Sequence, residues 1–434
     1  IRPTQQPTDM AINGEGYFVV EKGGQEFLTR AGNFSLNRAG ELITPSGHKV
    51  LPTFAPTWRK AYFDCATAWL GRTNRYTGKA YAKDPGVAMV ELTNENSLML
   101  LWLTGGLERL PEVHRAELDR QWNEFVRTRY PTDAAIVQAW AGSVNPQLRP
   151  GETLGHVERT PSGQGTFGQW PTARVADLYD FYLGLETRFF DELAAHVRGL
   201  GFTQPLVPGI TYDTPAFAQV MSRFDVVDTH LEWDVPAGGS LRNDSIVGRP
   251  RSQNFIEKFR IAQAGKPMMV SELNEGFPND QQAEAPLLWA ALAAVQDWDA
   301  IVWLNYTNGP IDAGPGPVGS FSELRFNSVK WAHMAAGSGL FRSGAVPPAA
   351  GLFPMWRSLD AVKAETVEQD RPTWPQLRDV STLLSARVRE AYGGAAPAPI
   401  AGRASTSLGW WPGAARFVVQ TDAVEAVIGD HGLR

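Results

Sequence analysis

The chain has 434 residues, 43% of them hydrophobic, 11% aromatic and 20% charged, which is material for a substantial core and for two or three domains at roughly 150 residues each. A formal net charge of −6 carries no basic footprint for nucleic acid, and a single cysteine, Cys65, excludes an intrachain disulfide framework. No apolar run approaches the roughly 18–20 residues of a membrane span, no secretory signal is visible at the start, and the seven histidines lack metal-ligand spacing, so no membrane span, metal or cofactor is expected.

In chain order, residues 11–20 (AINGEGYFVV) read as a turn leading into a strand, and residues 27–36 (FLTRAGNFSL) as a strand pair around Gly32-Asn33. Residues 38–41 and 45–48 read as tight turns, so residues 1–52 are expected to form a small β-meander that holds no chemistry. From Ala55 the pattern changes to alternating helix and strand. A helix is expected at 56–72, a strand at 87–93, helices at 107–128 and 134–141, and a loop at 161–168. The helix expected at 172–200 carries Val175, Leu178, Phe181, Tyr182, Leu185 and Phe189 on one broad apolar face. Strands are expected at 204–211, 224–231, 267–272 and 300–306 with helices between, followed by a helix at 328–341. Such alternation argues for a parallel α/β sheet. Residues 345–373 are Pro-rich and expected to be irregular, 374–394 helical, 395–399 a linker, and 404–429 a series of short β-like runs. The expected domains are therefore 1–52, 53–345 and 346–434.

Two carboxylates stand out in this pattern. Glu95 lies in VAMVELTNEN (87–96) and Glu272 in KPMMVSELN (266–274). Each ends a short apolar run of the kind that makes a buried parallel strand. A carboxylate where such a strand emerges is costly to hold unless something uses it, although a lone Glu at a strand end is often only a solvated loop residue. Two of them at one rim of a parallel sheet make the acid/base and nucleophile pair of a retaining glycosidase. Glu95 and Glu272 are accordingly expected to converge at the C-terminal end of one parallel sheet.

The words around both residues extend the signal. Asn94-Glu95, Val270-Ser271-Glu272, NRYTGKAYAKDP (74–85), LDRQWNEFVRTRY (118–130) and FPNDQQAEA (277–285) resemble clan A glycoside hydrolases, the group containing family 5, and its cellulase-like bacterial members. The resemblance covers about residues 55–348 and continues more weakly to the C-terminus. It implies a (β/α)8-type barrel in which Glu95 closes the fourth strand as acid/base and Glu272 closes the seventh as nucleophile. It also implies that Asn94 donates to the sugar 2-hydroxyl and that His230 lies on the pocket rim. Only strands four to eight find counterparts, so the barrel is expected to lack its first three strands, flanked by a small N-terminal β segment and a C-terminal β accessory region. Where the family has an aromatic hydroxyl this chain has Glu232, and where a histidine often stands it has Glu275. Two added carboxylates are expected to raise the pKa values of the catalytic pair and weaken turnover. Trp102, Trp233 and Trp303 are candidate sugar platforms and equally candidate core residues.

Residues 7–52 carry a second resemblance. PTDMAINGEGYFVV, TRAGNFSL and GELITPSGHKVLP resemble the flagellar hook and basal-body rod protein family. Three function classes are thus in play: a retaining glycosidase of weak or absent turnover acting on an oligo- or polysaccharide, a flagellar rod or hook protein whose partners are other flagellar subunits at the basal body, and a non-catalytic carbohydrate-binding protein. A bacterial source is expected under each.

Overall fold

The computed structural model describes residues 53–103, 106–110, 112–140, 172–209, 215–236, 241–247, 261–308, 316–368, 383–384 and 386–393, with the backbone of seven short strands near the two ends of the chain. The chain divides into two compact units, residues 1–224 with 360–372 and residues 225–359 with 373–434.

In the first unit, β1 (Phe18–Lys22) pairs antiparallel with β2 (Gln25–Thr29), and β3 (Ser35–Leu36) with β4 (Leu42–Ile43). Short strands were the expectation; the described pairs join 18–22 to 25–29 and 35–36 to 42–43, and Gly32-Asn33 lies outside the described residues. Helix α1 (Pro56–Gly71) starts on a proline, whose missing N–H costs nothing at a first helical position. The parallel pair β5 (Val90–Glu91) and β6 (Leu206–Val207) occupies two of the expected strand positions in shortened form. Helix α2 (Leu98–Leu103) has no counterpart in the sequence reading; Ser97 Oγ accepts the Leu100 N–H at 3.1 Å and starts it. The helix expected at 107–128 is divided into a 3-10 turn (Gly106–Arg109) and α3 (Glu112–Arg129), because Pro111 disfavours helical backbone at the residue before it.

Helix α4 (Asp133–Trp140) leads toward α5 (Thr172–Gly199), the 28-residue spine of this unit. The apolar face read from the sequence is its buried face: Val175, Leu178, Phe181, Tyr182, Leu185 and Phe189 are all at most 5% exposed. Trp122 of α3 meets Phe181 edge-on at 5.2 Å and stacks on Trp140 at 6.0 Å, so aromatic contacts tie α3 and α4 to the spine. The short helix α6 (Pro215–Met221) closes this part of the chain.

The second unit is built on the parallel sheet β7 (Val227–Trp233), β8 (Met268–Glu275) and β9 (Ala300–Trp303), in that order. Helices α7 (Glu284–Val295) and α8 (Ser328–Ser343) pack closely: a Cβ on Gly337 would stand 2.3 Å from the Pro286 carbonyl oxygen. Then β10 (Gly351–Arg357) and β11 (Ala386–Tyr392) follow and pair parallel, while α9 (Leu359–Glu368), between them in sequence, belongs from Asp360 onward to the first unit. Both expectations for this stretch are corrected. Residues 351–368 are ordered strand and helix rather than irregular, and 386–392 are strand rather than helix.

The second correction has a clear cause. Ala, Arg and Glu favour helix locally, but tertiary partners claim the backbone. Buried Gln296 donates from Nε2 to the carbonyls of Leu383 (2.5 Å) and Ala386 (2.8 Å) and accepts the Val388 N–H at 2.9 Å. The expected helical stretch 374–382, the linker 395–399 and the loop 161–168 lie outside the described residues. The β-like tail appears as β12 (Arg416–Gln420), β13 (Glu425–Gly429) and β14 (Gly432–Leu433), an antiparallel set. Among the described residues the parallel strands form a pair, a triplet and a second pair, and no closed barrel.

Gln296→Ala removes a buried donor group shared by two carbonyls and a buried acceptor. It is expected to destabilise the chain by about 2–4 kcal/mol, read as a lower denaturant midpoint; an unchanged midpoint would contradict the role given to Gln296.

Candidate active site

Glu272 is aimed by a defect in the sheet. Thr229 of β7 pairs with Val270 and His230 with Glu272, so Ser271 of β8 has no partner on β7. This is a β-bulge, which bends a strand and redirects the side chain beside it. The unpaired Ser271 is held by one carboxylate: its N–H donates to Asp228 Oδ1 at 3.0 Å and its hydroxyl to Oδ2 at 2.6 Å. Asp228 is fully buried, and burial pushes its carboxyl up to about 6 although the Ser271 bonds and His230 pull the other way. His230, 6% exposed, stands on the same face of β7, with Nδ1 3.6 Å from Glu272 Oε2. That is too long for a hydrogen bond and close enough for electrostatic contact. Glu272 itself keeps 21% of its side chain exposed.

One register step further along this face, Glu232 pairs with Asn274. Glu275 lies elsewhere. Three residues separate it from Glu272, so the pleat turns the two to opposite faces, and the expected crowding of Glu272 by Glu275 is not found. Glu275 is instead buried toward Lys330 of α8, whose Nζ donates to Asn274 Oδ1 at 2.8 Å and to the Glu275 carbonyl. Burial, with Glu284 and Asp234 nearby, raises the Glu275 carboxyl to about 8. Burial also lowers the Lys330 ammonium to about 8, opposed by Glu275.

Glu95 belongs to the first unit. Beyond β5 the ladder to β6 continues: Leu92 N–H donates to Val207 O (2.8 Å), Thr93 N–H to Pro208 O (3.3 Å) and Glu95 N–H to Gly209 O (3.1 Å). Gly209 has φ +77°, and a Cβ there would fall 1.5 Å from the Thr93 carbonyl oxygen, so only glycine fits. Glu95 itself has φ 46°, a left-handed conformation rare outside glycine. Such backbone persists where its surroundings over-determine it, as happens at functional sites. Asn94 and Glu95 are both half-buried at the C-terminal end of β5.

The tryptophans separate by exposure. Trp102 is 0% exposed and stacks on Tyr182 at 5.0 Å, so it is a core residue and offers no face to a sugar. Trp233 is 6% exposed and donates from Nε1 to the Asp244 carbonyl at 2.9 Å, holding a loop. Trp303 is half-buried at the end of β9, in register with Leu273. The sequence reading missed Asp228 and Lys330. The period of two from Asp228 to His230 was a usable signal for the first; nothing local marks the second.

Residues 11–65 match the family described as flagellar hook protein FlgE/F/G D1 domain. The chain is 48% identical over 52 residues to the flagellar hook protein FlgE of Brucella abortus, a stretch that is 12% of this chain and 13% of that protein. It is 46% identical over 48 residues to the flagellar basal-body rod protein FlgG of Bacillus subtilis, covering 11% of this chain and 18% of that one. Among solved structures, the β-galactosidase of the psychrophilic Marinomonas ef1 superposes with a TM-score of 0.50 at 12% identity, over 82% of this chain and 56% of that one. The cold-adapted β-galactosidase of Rahnella sp. R3 does so with a TM-score of 0.50 at 14% identity, over 82% and 51%. The chain thus spans a small part of its flagellar relatives and about half of these enzymes. Both expected likenesses are present, and the second shows a fold shared with TIM-barrel glycosidases.

Glu275 gives a pH test. Its folded carboxyl near 8 lies above the ordinary value of 4.5, so between these values the native state holds a proton that the unfolded chain has lost. Stability therefore falls as pH rises through that window. Glu275→Gln is expected to flatten the loss of stability between about pH 6 and pH 8, measured by urea midpoints; a variant that keeps the full slope would contradict the assignment.

Proposed function

We propose that the chain is a retaining glycoside hydrolase of weak turnover, with Glu95 as acid/base and Glu272 as nucleophile. The observation that carries this reading is the pinned bulge at Ser271, which presents a partly exposed Glu272 beside buried His230 in the C-terminal half of a parallel strand. Active-site carboxylates of barrel enzymes sit at such ends. The left-handed Glu95 at the end of β5 supports the second role.

In this mechanism Glu95 protonates the glycosidic oxygen as the bond breaks. Glu272 attacks the anomeric carbon to form a covalent glycosyl-enzyme, and Glu95 then deprotonates the water that hydrolyses it. The pair must stand about 5–5.5 Å apart for this outcome. Asn94 donates to the sugar 2-hydroxyl, and His230 sits beside Glu272 on the pocket rim with Trp233 and Trp303 nearby along their strands. Glu232, one register step from Glu272 on the same face, adds negative charge where a neutral hydroxyl would orient the nucleophile. A like charge there disfavours the ionised nucleophile and slows attack. The substrate is an oligo- or polysaccharide. Residues 1–52 form a separate β segment that contributes no catalytic group, and the region after residue 345 is accessory.

A second reading has its own support. The match over residues 11–65 favours a flagellar module at the N-terminal end, with rod or hook subunits as partners. Polymerisation with hook or rod protein separates it from the enzyme reading. Sugar binding without turnover marks the non-catalytic alternative.

On a panel of aryl glycosides, Glu232→Tyr is expected to gain turnover over the parent chain and Glu272→Gln to lose it. Robust turnover that survives Glu272→Gln would contradict the mechanism, because a nucleophile cannot lose its charge and keep its rate.

A further inference from the structure

Two large aromatic side chains of the second unit lie open to solvent. Tyr306 is 48% exposed and Trp331 56%. Their ring centroids are 5.9 Å apart and their planes inclined by 59°, which makes an open corner of two π faces.

Both rings are held by backbone rather than left on a loose loop. The Tyr306 carbonyl accepts the Arg325 N–H at 2.8 Å, the Asn305 carbonyl accepts Leu324 N–H at 2.9 Å, and Asn305 N–H donates to Ser322 O at 3.1 Å. The chain then passes through Asn327, which caps α8 by accepting the Lys330 N–H at 3.1 Å, and Trp331 N–H donates to Asn327 O at 3.0 Å.

Their place in the sheet follows from their neighbours. Tyr306 comes three residues after Trp303, which is in register with Leu273, the residue after Glu272. Trp331 follows Lys330, whose ammonium grips Asn274 and the Glu275 carbonyl. The pair therefore belongs to the C-terminal ends of β8 and β9, the end that presents Glu272.

We propose that Tyr306 and Trp331 form a stacking subsite for a pyranose unit of an oligosaccharide. The inference rests on the glycosidase reading and names one of its substrate contacts. A pyranose presents an apolar face of C–H bonds that packs on the negative face of an aromatic ring, while its hydroxyls stay in water or meet polar neighbours. Arg325, whose backbone N–H bonds the Tyr306 carbonyl, carries its guanidinium 4.6 Å over the adjacent Phe326 ring. A protein partner is the competing occupant, because Phe326 and Val329, each 42% exposed, and Val302, 48% exposed, add apolar surface close in sequence to the two rings; stable interfaces bury about 800 Å² per partner.

The test is calorimetric titration of the full chain carrying Glu272→Gln with cellotetraose, mannotetraose and β-1,4-galactotetraose. Trp331→Ala and Tyr306→Ala are each compared on the same background, with thermal melts to confirm folding. Binding of at least one tetrasaccharide, weakened about 10-fold or more by each substitution, is the expected result. No binding of any of the three, or binding that survives both substitutions, overturns the subsite. A concentration-dependent dimer that Trp331→Ala abolishes would overturn it too, by assigning the rings to a protein interface. Turnover of aryl monosaccharides, measured on the chain with Glu272 intact, keeps the two claims apart. Turnover without platform-dependent binding defeats the subsite alone, and platform-dependent binding without turnover defeats the nucleophile assignment alone.

Discussion

The grip of Asp228 on Ser271 is the contact on which the proposed site depends. A bulge leaves one residue without a ladder partner, and in a buried sheet its N–H must be satisfied elsewhere. Asp228 supplies both acceptors from the neighbouring strand, at the cost of burying a carboxyl that is pushed up to about 6. Without the bulge a strict period of two would pair His230 with Ser271 and send Glu272 to the other face. With it, Glu272 is the partner of His230. The register shift therefore decides whether the carboxylate is a candidate nucleophile at all.

The two units divide the chemistry differently. The first is carried by the aromatic face of α5, with Glu95 on a short strand pair that Gly209 keeps close. The second is carried by a three-stranded parallel sheet whose C-terminal ends collect Glu272, Glu232, Asn274 and Glu275. There the polar groups are sorted by face. Glu232 shares the face of Glu272, whereas Glu275 is withdrawn into a buried set with Lys330, Glu284 and Asp234. Of the two unusual carboxylates, only Glu232 stands where the proposed nucleophile would feel its charge.

Much of this was legible in the sequence where a local period carries the signal. The buried face of α5 follows from apolar spacing near 3.6, and β8 follows from a short apolar run rich in Val and Met. The words around Glu95 and Glu272 marked both residues, although β5 stops at Glu91 and β8 runs on to Glu275. What was not legible is what distant partners decide. The bulge is a one-residue offset between strands about forty positions apart, and no local pattern encodes an offset. Lys330 meets Glu275 across 55 residues. Residues 386–392 have helix-forming composition and are strand because β10 and Gln296 claim their backbone. Trp102 reads as a possible platform until Tyr182 is found stacked against it. The N-terminal segment was recognisable by its words, and its family match runs to residue 65, past the boundary at 52 and into α1.

The central claim is that Glu272 attacks the anomeric carbon, and covalent trapping tests it most directly. The chain would be incubated with activated 2-deoxy-2-fluoro glycosides, which form the glycosyl-enzyme readily and release it slowly, and then digested for peptide mass spectrometry. The account predicts one sugar per chain on the peptide containing Glu272 and none in Glu272→Gln. A label on any other residue, or one that persists in Glu272→Gln, would contradict it.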